Sequence, residues 1–214
     1  VNKPRIVLAD DHQILAEGLR RMLEPEFEVV ATVSNGIEMI AAAELQSPDV
    51  IIADISMPMM NGIDAMVQIR EKGFKAKVIF LTMHRDVAYT RRAMEAGANG
   101  YLLKHSASSE LTGAIREVLQ GRTYVTPMIA GELLESYREA DPATSKRTKR
   151  LTTRQREVLQ LVAEGRSAKE VSRALNISVR TAEAHKAKIL ETLELSNTTE
   201  LVQYAIRKGM ISAE

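Results

Sequence analysis

Over the first 121 residues, short unbroken apolar runs alternate with stretches whose apolar positions recur every three or four residues. The runs fall at 6–9, 29–33, 50–53, 78–81 and 101–103, each with the length and Val/Ile/Leu content of a buried strand. Between them, helical spacing links Ile14, Leu15, Gly18, Leu19, Met22 and Leu23; then Ile37, Ile40, Ala41 and Leu45; then Ile63, Met66, Val67 and Ile69; then Val87, Thr90, Ala93 and Met94. A fifth helix over 111–120 closes at Gly121. Strands that are apolar on both faces and alternate with helices predict a parallel sheet covered on both sides. In such a sheet the site lies beyond the carboxyl ends of the strands, where the strand order reverses.

From Thr126 the pattern changes. Ile129, Leu133, Leu134 and Tyr137 predict one more helix ahead of Asp141-Pro142, and residues 143–150 are polar, basic and aperiodic, as a tether is. From Leu151 onward only helices are expected, over 153–163, 167–175, 179–193 and 198–208, with Gly209 as the last helix stop. Ser167 and Glu170 have capping-box spacing, Asn176-Ile177-Ser178 makes a tight turn, and a second helix follows, which is a helix-turn-helix. The chain thus divides into an α/β domain over 1–121, a linker helix and basic tether over 122–150, and a small all-α domain over 151–214.

Composition narrows the setting. Only 4% of the residues are aromatic and none is Trp, so the cores are aliphatic; the absence of Cys excludes disulfides and thiolate metal sites. No signal-peptide pattern and no apolar stretch near membrane-spanning length is present, so a cytoplasmic protein with no membrane partner is expected. The net charge of +1 hides an asymmetry. Residues 1–125 carry 14 Lys+Arg against 16 Asp+Glu, whereas residues 146–214 carry 14 against 8, a surplus of six positive charges. A basic tail behind an acidic body points to a polyanion partner for the tail, or else to a solvated basic face.

Polar residues end the apolar runs: Asp10 and Asp11 after the first, Asp54 after the third, Thr82 after the fourth and Lys104 after the fifth. A carboxylate accepts a phosphoryl group when its neighbours offset the charge that accumulates. Asp10, Asp11 and Asp54 offer the hard oxygen ligands that magnesium prefers, Lys104 a metal-independent positive charge, and Thr82 a hydrogen bond to a phosphoryl oxygen. Taken singly, each residue has an ordinary reading, the Asp pair as a cap for the next helix; it is their joint appearance at one sheet edge that points to phosphoryl chemistry.

Asp10-Asp11, Asp54 with Met57-Pro58 and Asn61-Gly62, Thr82, and Lys104 preceded by Gly97-Ala98-Asn99-Gly100-Tyr101 resemble the receiver domain of bacterial response regulators, over residues 4 to about 121. The resemblance implies a doubly wound, five-stranded, flavodoxin-like sheet of order 2-1-3-4-5. It implies that Asp54 takes a phosphoryl group from a sensor histidine kinase, with magnesium (or manganese) held by Asp11, Asp54 and the main-chain carbonyl of Ser56, and by Asp10 through water. Thr82 then swings toward the phosphoryl group and Tyr101 follows it inward; on its own, Tyr101 reads as a core aromatic. Ser56, Met83 and His84 stand at positions that tune phosphoryl lifetime. Met83 is larger than the residue common there and is expected to narrow access to the site.

Leu151-Thr152-Thr153-Arg154 and Glu157-Val158-Leu159, then Gly165, Ser167, Lys169-Glu170-Val171, Leu175, Ile177-Ser178, Thr181 and His185 resemble the LuxR-type DNA-binding domain, over about 150 to 212. Together the two resemblances imply a regulator of the NarL/FixJ group. The carry-over assigns Lys186 and Lys188 to phosphates or base edges, turns Glu183, Ala184 and Ala187 toward the major groove, and sets Arg180 and Thr181 on the DNA backbone. By the same resemblance Leu201, Val202 and Ala205 on the last helix are expected to pair two output domains; the ordinary reading is a helix that covers its own core, and the two are compatible. Gln155 and Ala182 depart from the family pattern, with looser local packing expected at both, and Thr192 replaces a basic residue.

These observations predict a transcription regulator switched by phosphorylation of Asp54, which controls homodimerisation and binding to promoter DNA; before phosphorylation, the receiver or the helix near 129–137 is expected to mask the recognition helix or prevent dimerisation. Beyond accepting the phosphoryl group and slowly losing it, no enzyme activity is expected. An aspartyl-phosphate phosphatase needs a second carboxylate two residues after its nucleophile, and Ser56 stands there. A phosphorylation-independent DNA-binding regulator would not be expected to keep the complete set of Asp10, Asp11, Asp54, Thr82 and Lys104.

Overall fold

The computed structural model describes residues 2–83, 85, 87–139, 151–208 and 210–211. The expected tether over 143–150, His84 and Gly209 lie outside the described residues. The chain separates into two compact units, residues 1–140 and 141–214.

In the first unit, β1 (Arg5–Ala9), β2 (Glu28–Val33), β3 (Val50–Ala53), β4 (Lys77–Thr82), β5 (Gly100–Leu103) and β6 (Tyr124–Val125) form one sheet in the order β2-β1-β3-β4-β5-β6, every pair parallel. The expected order 2-1-3-4-5 is present, but the sheet has six strands rather than five. The added strand is two residues long and pairs Gly100 with Tyr124 and Tyr101 with Val125; a run that short leaves no period to read.

Alternate residues of each strand feed two different cores, as the pleat requires. Val7, Ala9, Ile51, Ala53, Val78, Phe80, Tyr101 and Leu103 face one side, with α2 (Gly36–Gln46), α3 (Gly62–Glu71) and α4 (Val87–Glu95). Ile6, Leu8, Val50, Ile52, Ile79, Leu81 and Leu102 face the other, with α1 (Gln13–Leu23) and α5 (Ala107–Leu119). A 3-10 turn over Lys104–Ser106 joins β5 to α5, so that helix begins at Ala107, four residues before the apolar spacing starts at Leu111. Asn35 and Asn61 cap α2 and α3 by accepting from Glu38 N and Asp64 N, both at 2.9 Å.

The helix expected as a linker, α6 (Pro127–Glu139), belongs to the first unit. Ile129 is buried in the same cluster as Tyr101 and Ala93, Leu133 is buried as well, and α6 packs on α4. Half of the expected stripe, Ile129 and Leu133, thus faces the first unit's own core, whereas Leu134 and Tyr137 are exposed.

The second unit consists of α7 (Thr153–Ala163), α8 (Ala168–Ala174), α9 (Val179–Leu193) and α10 (Thr198–Arg207) around Val158, Leu159, Val171, Ala182, Ile189, Leu201 and Ala205, all buried. Capping boxes start α7 and α8, and Ser178 and Asn197 cap α9 and α10. Gln155 does what an acid would do: its side-chain oxygen accepts from Thr152 N at 2.8 Å while Thr152 Oγ1 caps Gln155 N, so no loosening follows from the exchange. Asn176 adopts a left-handed φ of 51° in the turn between α8 and α9, where Ile177 N donates to Ser172 O at 3.0 Å. The last helix covers its own core, the ordinary one of its two expected readings. Leu201 and Ala205 are fully buried within their own unit, because the apolar stripe of α10 packs on α7; of the three, only Val202 is partly exposed.

Gly62 ties the fold to the acidic site. A Cβ there would stand 2.2 Å from the carbonyl oxygen of Asp54 and 3.1 Å from the Phe80 ring. Gly62→Ala is therefore expected to destabilise the first unit by about 1–3 kcal/mol through overpacking; urea unfolding of the variant beside the wild type checks this, and equal midpoints would contradict it.

Candidate functional site

Register brings the polar strand ends together. Ala9, Ala53, Phe80 and Tyr101 form one row across β1, β3, β4 and β5. Asp10 and Asp54 each stand one residue beyond that row, Thr82 two beyond and Lys104 three beyond. The backbone ladder continues past the strands to fix both acids: Asp10 N donates to Val33 O at 2.9 Å and Asp54 N to Ala9 O at 2.8 Å.

Lys104 closes the group. Its Nζ lies 2.8 Å from Asp10 Oδ2 and 2.7 Å from Asp54 Oδ2, and the three side chains are only 5–6% exposed. Asp54 Oδ1 accepts from Ser56 N at 3.4 Å. Burial pushes the Asp54 carboxyl above its ordinary pKa; the Lys104 ammonium offsets part of that rise and the charge of Asp10 adds to it. Burial also opposes the charge on Lys104, but Asp54 and Asp10 outweigh it and raise the amine above its usual value.

His12 is a residue that sequence reasoning missed. Its Nδ1 lies 3.1 Å from Asp10 Oδ1 and 3.0 Å from Asp11 Oδ1, so ligand atoms of Asp10, Asp11, His12 and Asp54 all lie within 4.8 Å of one another. Three carboxylates and an imidazole suit a divalent cation, with hard oxygens in the majority. The bland reading of the Asp pair also holds in part, since Asp10 Oδ1 accepts from His12 N at 2.9 Å and so covers an amide at the start of α1. His12 directly follows the Asp pair in sequence, but only the folded loop turns its ring back onto it.

The remaining expected residues are distributed as follows. Thr82 is buried at the end of β4 in register with Leu103, the residue before Lys104. Tyr101 is fully buried, packed inward in the cluster that holds Phe80 and Ile129. Ser56 is half-buried beside Asp54, and Met83 is exposed next to Thr82.

In the second unit, Arg180, Thr181, Glu183, Ala184, Ala187 and Lys188 are exposed on α9, whereas Lys186 is half-buried. At 3.6 residues per turn Lys186 falls on a flank of the stripe formed by Ala182 and Ile189. Lys188 Nζ is paired with Glu191 Oε2 at 2.9 Å, an exposed pair worth little in water. Ala184 and Ala187 leave the middle of the outward face free of bulk, which permits close approach to a broad surface.

Comparison with known proteins bears on both units. Residues 6–116 match the family of response regulator receiver domains, and residues 149–205 match that of bacterial regulatory proteins of the luxR family. The chain is 36% identical to the transcriptional regulatory protein DegU of Brevibacillus brevis, covering 98% of this chain and 96% of that one. It is equally 36% identical to the oxygen regulatory protein NreC of Staphylococcus haemolyticus, over 97% and 99% of the two chains. Among solved structures, a LuxR-family two-component response regulator from Aurantimonas sp. SI85-9A1 is 38% identical with a TM-score of 0.61, covering 64% of this chain and all of that one. The two-component response regulator RcsB, in complex with DNA, is 27% identical with a TM-score of 0.60, covering 97% and 99%.

The raised pKa of Asp54 has a consequence for stability. A carboxyl whose folded pKa exceeds its unfolded value takes up a proton on folding, so its contribution is complete below the unfolded pKa and is lost as pH rises through the folded one. Asp54→Asn removes that loss. In metal-free buffer the variant's unfolding temperature is expected to gain on the wild type as pH is raised from about 3 to about 7; parallel curves across that interval would refute the assignment of a raised pKa to Asp54.

Proposed function

The chain belongs to the response regulators, as a receiver domain followed by a luxR-family DNA-binding domain, and we propose that Asp54 is the residue through which this transcription regulator is switched. The observation that carries the proposal is the buried Asp54 carboxylate with Lys104 Nζ at 2.7 Å, in a cluster of four side chains able to hold a cation.

In this reading Asp54 attacks the phosphorus of a phosphohistidine on a sensor kinase. The new P–O bond forms as the P–N bond breaks, and the imidazole leaves with the electron pair and takes up a proton. Asp11, Asp54 and the Ser56 carbonyl, with Asp10 through water, would hold magnesium, which would supply charge neutralisation at the phosphoryl oxygens. The chain's own residues do the rest: Lys104 holds a phosphoryl oxygen, Thr82 donates to another, and Ser56 N lies on the side of Asp54 Oδ1. No carboxylate stands two residues after Asp54, so the acyl phosphate persists as a signal and is lost slowly by hydrolysis; this favours a switch over a turnover phosphatase.

The output is DNA binding by the second unit, with the exposed side of α9 in the major groove and its surplus of positive charge on the phosphates. The regulator works in the cytoplasm and binds promoter DNA as a homodimer when phosphorylated; among the described residues no helix is long and apolar enough to cross a membrane.

With acetyl phosphate and magnesium, the wild type is expected to gain one phosphoryl group by mass spectrometry, and Asp54→Asn or added EDTA none. Labelling of Asp54→Asn, or continued release of phosphate over many turnovers, would overturn the reading. Selection of bound fragments from genomic DNA, with and without the phosphodonor, is expected to enrich common sequences more strongly with it. On such a fragment Lys188→Ala is expected to lower affinity and to reduce the salt-dependence slope by about one unit, measured by fluorescence anisotropy across salt concentrations.

A further inference from the structure

We infer that Glu110 is a positioning residue that fastens the phosphoryl site to α6; the inference rests on the reading of Asp54 as the phosphoacceptor. Glu110 lies in the first turn of α5, just past the turn that carries Lys104. Its Oε2 accepts from two hydroxyls, Tyr124 at 3.1 Å and Thr126 at 3.0 Å. Both donors belong to the segment around β6, which joins the sheet only in the folded chain.

Thr126 is the junction. Its backbone N donates to Tyr101 O at 3.0 Å, and its hydroxyl oxygen, besides donating to Glu110, accepts from Leu103 N at 3.4 Å. Its carbonyl accepts from Ile129 N at 2.9 Å and Ala130 N at 3.2 Å, so the same residue opens α6. Thr126 is 2% exposed, and Ile129 one turn later is buried with Tyr101 and Ala93. A single residue thus connects the end of β5 and the start of α5 through its hydroxyl and the start of α6 through its carbonyl.

This junction is contiguous with the acidic site through covalent bonds. Leu103, whose N–H Thr126 accepts, is followed directly by Lys104, whose ammonium is shared by Asp10 and Asp54. When Asp54 gains a phosphoryl group, Lys104 changes partners, and the displacement reaches Thr126 across one peptide unit. With Glu110 holding Thr126 against β5, α6 follows the strand. Without it, Thr126 keeps its bonds to Tyr101 O and Leu103 N but its hydroxyl is no longer held in place, and less of the strand's displacement reaches α6. Coupling of this kind needs an element that both ends bias; the β5 end, β6 and the first turn of α6 form one.

The test uses the full chain as wild type, Glu110→Ala, Glu110→Gln and Thr126→Val. Each is treated with acetyl phosphate and magnesium, the phosphoryl content is read by mass spectrometry, and affinity for a fragment selected by the wild type is measured with and without the phosphodonor. Glu110→Ala and Thr126→Val are expected to be phosphorylated to the wild-type extent, while the gain in DNA affinity on phosphorylation falls at least about fivefold toward no gain. Glu110→Gln, whose amide oxygen still accepts from Thr126, is expected to keep most of the gain. A wild-type gain in Glu110→Ala overturns the inference and leaves Glu110 a structural residue, whatever its effect on unfolding temperature; equal loss in Glu110→Gln and Glu110→Ala overturns the hydrogen-bond basis. If the wild type is phosphorylated at Asp54 but shows no gain, the switch reading itself fails and takes this inference with it.

Discussion

The ammonium of Lys104, held between the carboxylates of Asp10 and Asp54 at 2.8 and 2.7 Å, is the interaction on which the rest of the first unit's chemistry depends. Two carboxylates on neighbouring strands repel, and burial makes both the repulsion and the desolvation cost larger. Burial holds the Asp54 carboxyl above its ordinary pKa although Lys104 offsets part of the rise, while the two carboxylates keep the Lys104 ammonium charged. Such an arrangement persists only if the surrounding structure leaves no way to relax. The row of Ala9, Ala53, Phe80 and Tyr101 supplies that rigidity, with each carboxylate one residue past it and its backbone amide tied to the next strand.

The same rigidity makes the local sequence intolerant. The backbone of α3 starts against the Asp54 carbonyl, at a distance that only a glycine at 62 allows, and Asn61 closes the turn by capping the helix and donating to Asp64 Oδ2 at 2.8 Å. Asp64 in turn lies 3.4 Å from Arg92 on α4. Polar links thus run from the loop after Asp54 through α3 to α4, the helix on which α6 packs.

Much of this was legible in the chain because each strand ends on a polar residue after an apolar run, and period-two burial on both faces leaves no other place for those residues than the sheet edge. The five main helices of the first unit and the four of the second follow from the same periodicities, whereas the strand order rested on the resemblance to receiver domains. What was not legible depended on which surface an element meets. Ile129 and Leu133 define an apolar stripe, but spacing does not distinguish a helix covering its own unit from one bridging to another. Leu201 and Ala205 raise the same ambiguity: spacing alone does not say whether the stripe covers its own core or pairs two copies, and in the fold these two residues are buried in the core of one. β6 is too short to show alternation, and His12 contributes through the direction of a ring that sequence does not encode. Gln155 is a case of chemistry outranking charge, since a capping box needs an acceptor oxygen and an amide has one.

The charge balance explains why the cluster extends beyond the ion pair. With every carboxyl ionised, Asp10, Asp11 and Asp54 carry three negative charges against the one positive charge of Lys104. Phosphorylation would replace the Asp54 carboxylate by a group of nearly two negative charges, and a single ammonium at one edge cannot offset that in a buried setting. The excess must then be met by a cation at the exposed carboxylate, Asp11, and by a rearrangement of Lys104 toward the new oxygens. Asp11 and His12 lie on the solvent side of the cluster, where a cation can enter, while Lys104 lies on the side joined to β5. With the two compensating charges separated in this way, a cation would bind and leave freely while Lys104 stays attached to the strand, and of the two only Lys104 would carry a displacement into the fold.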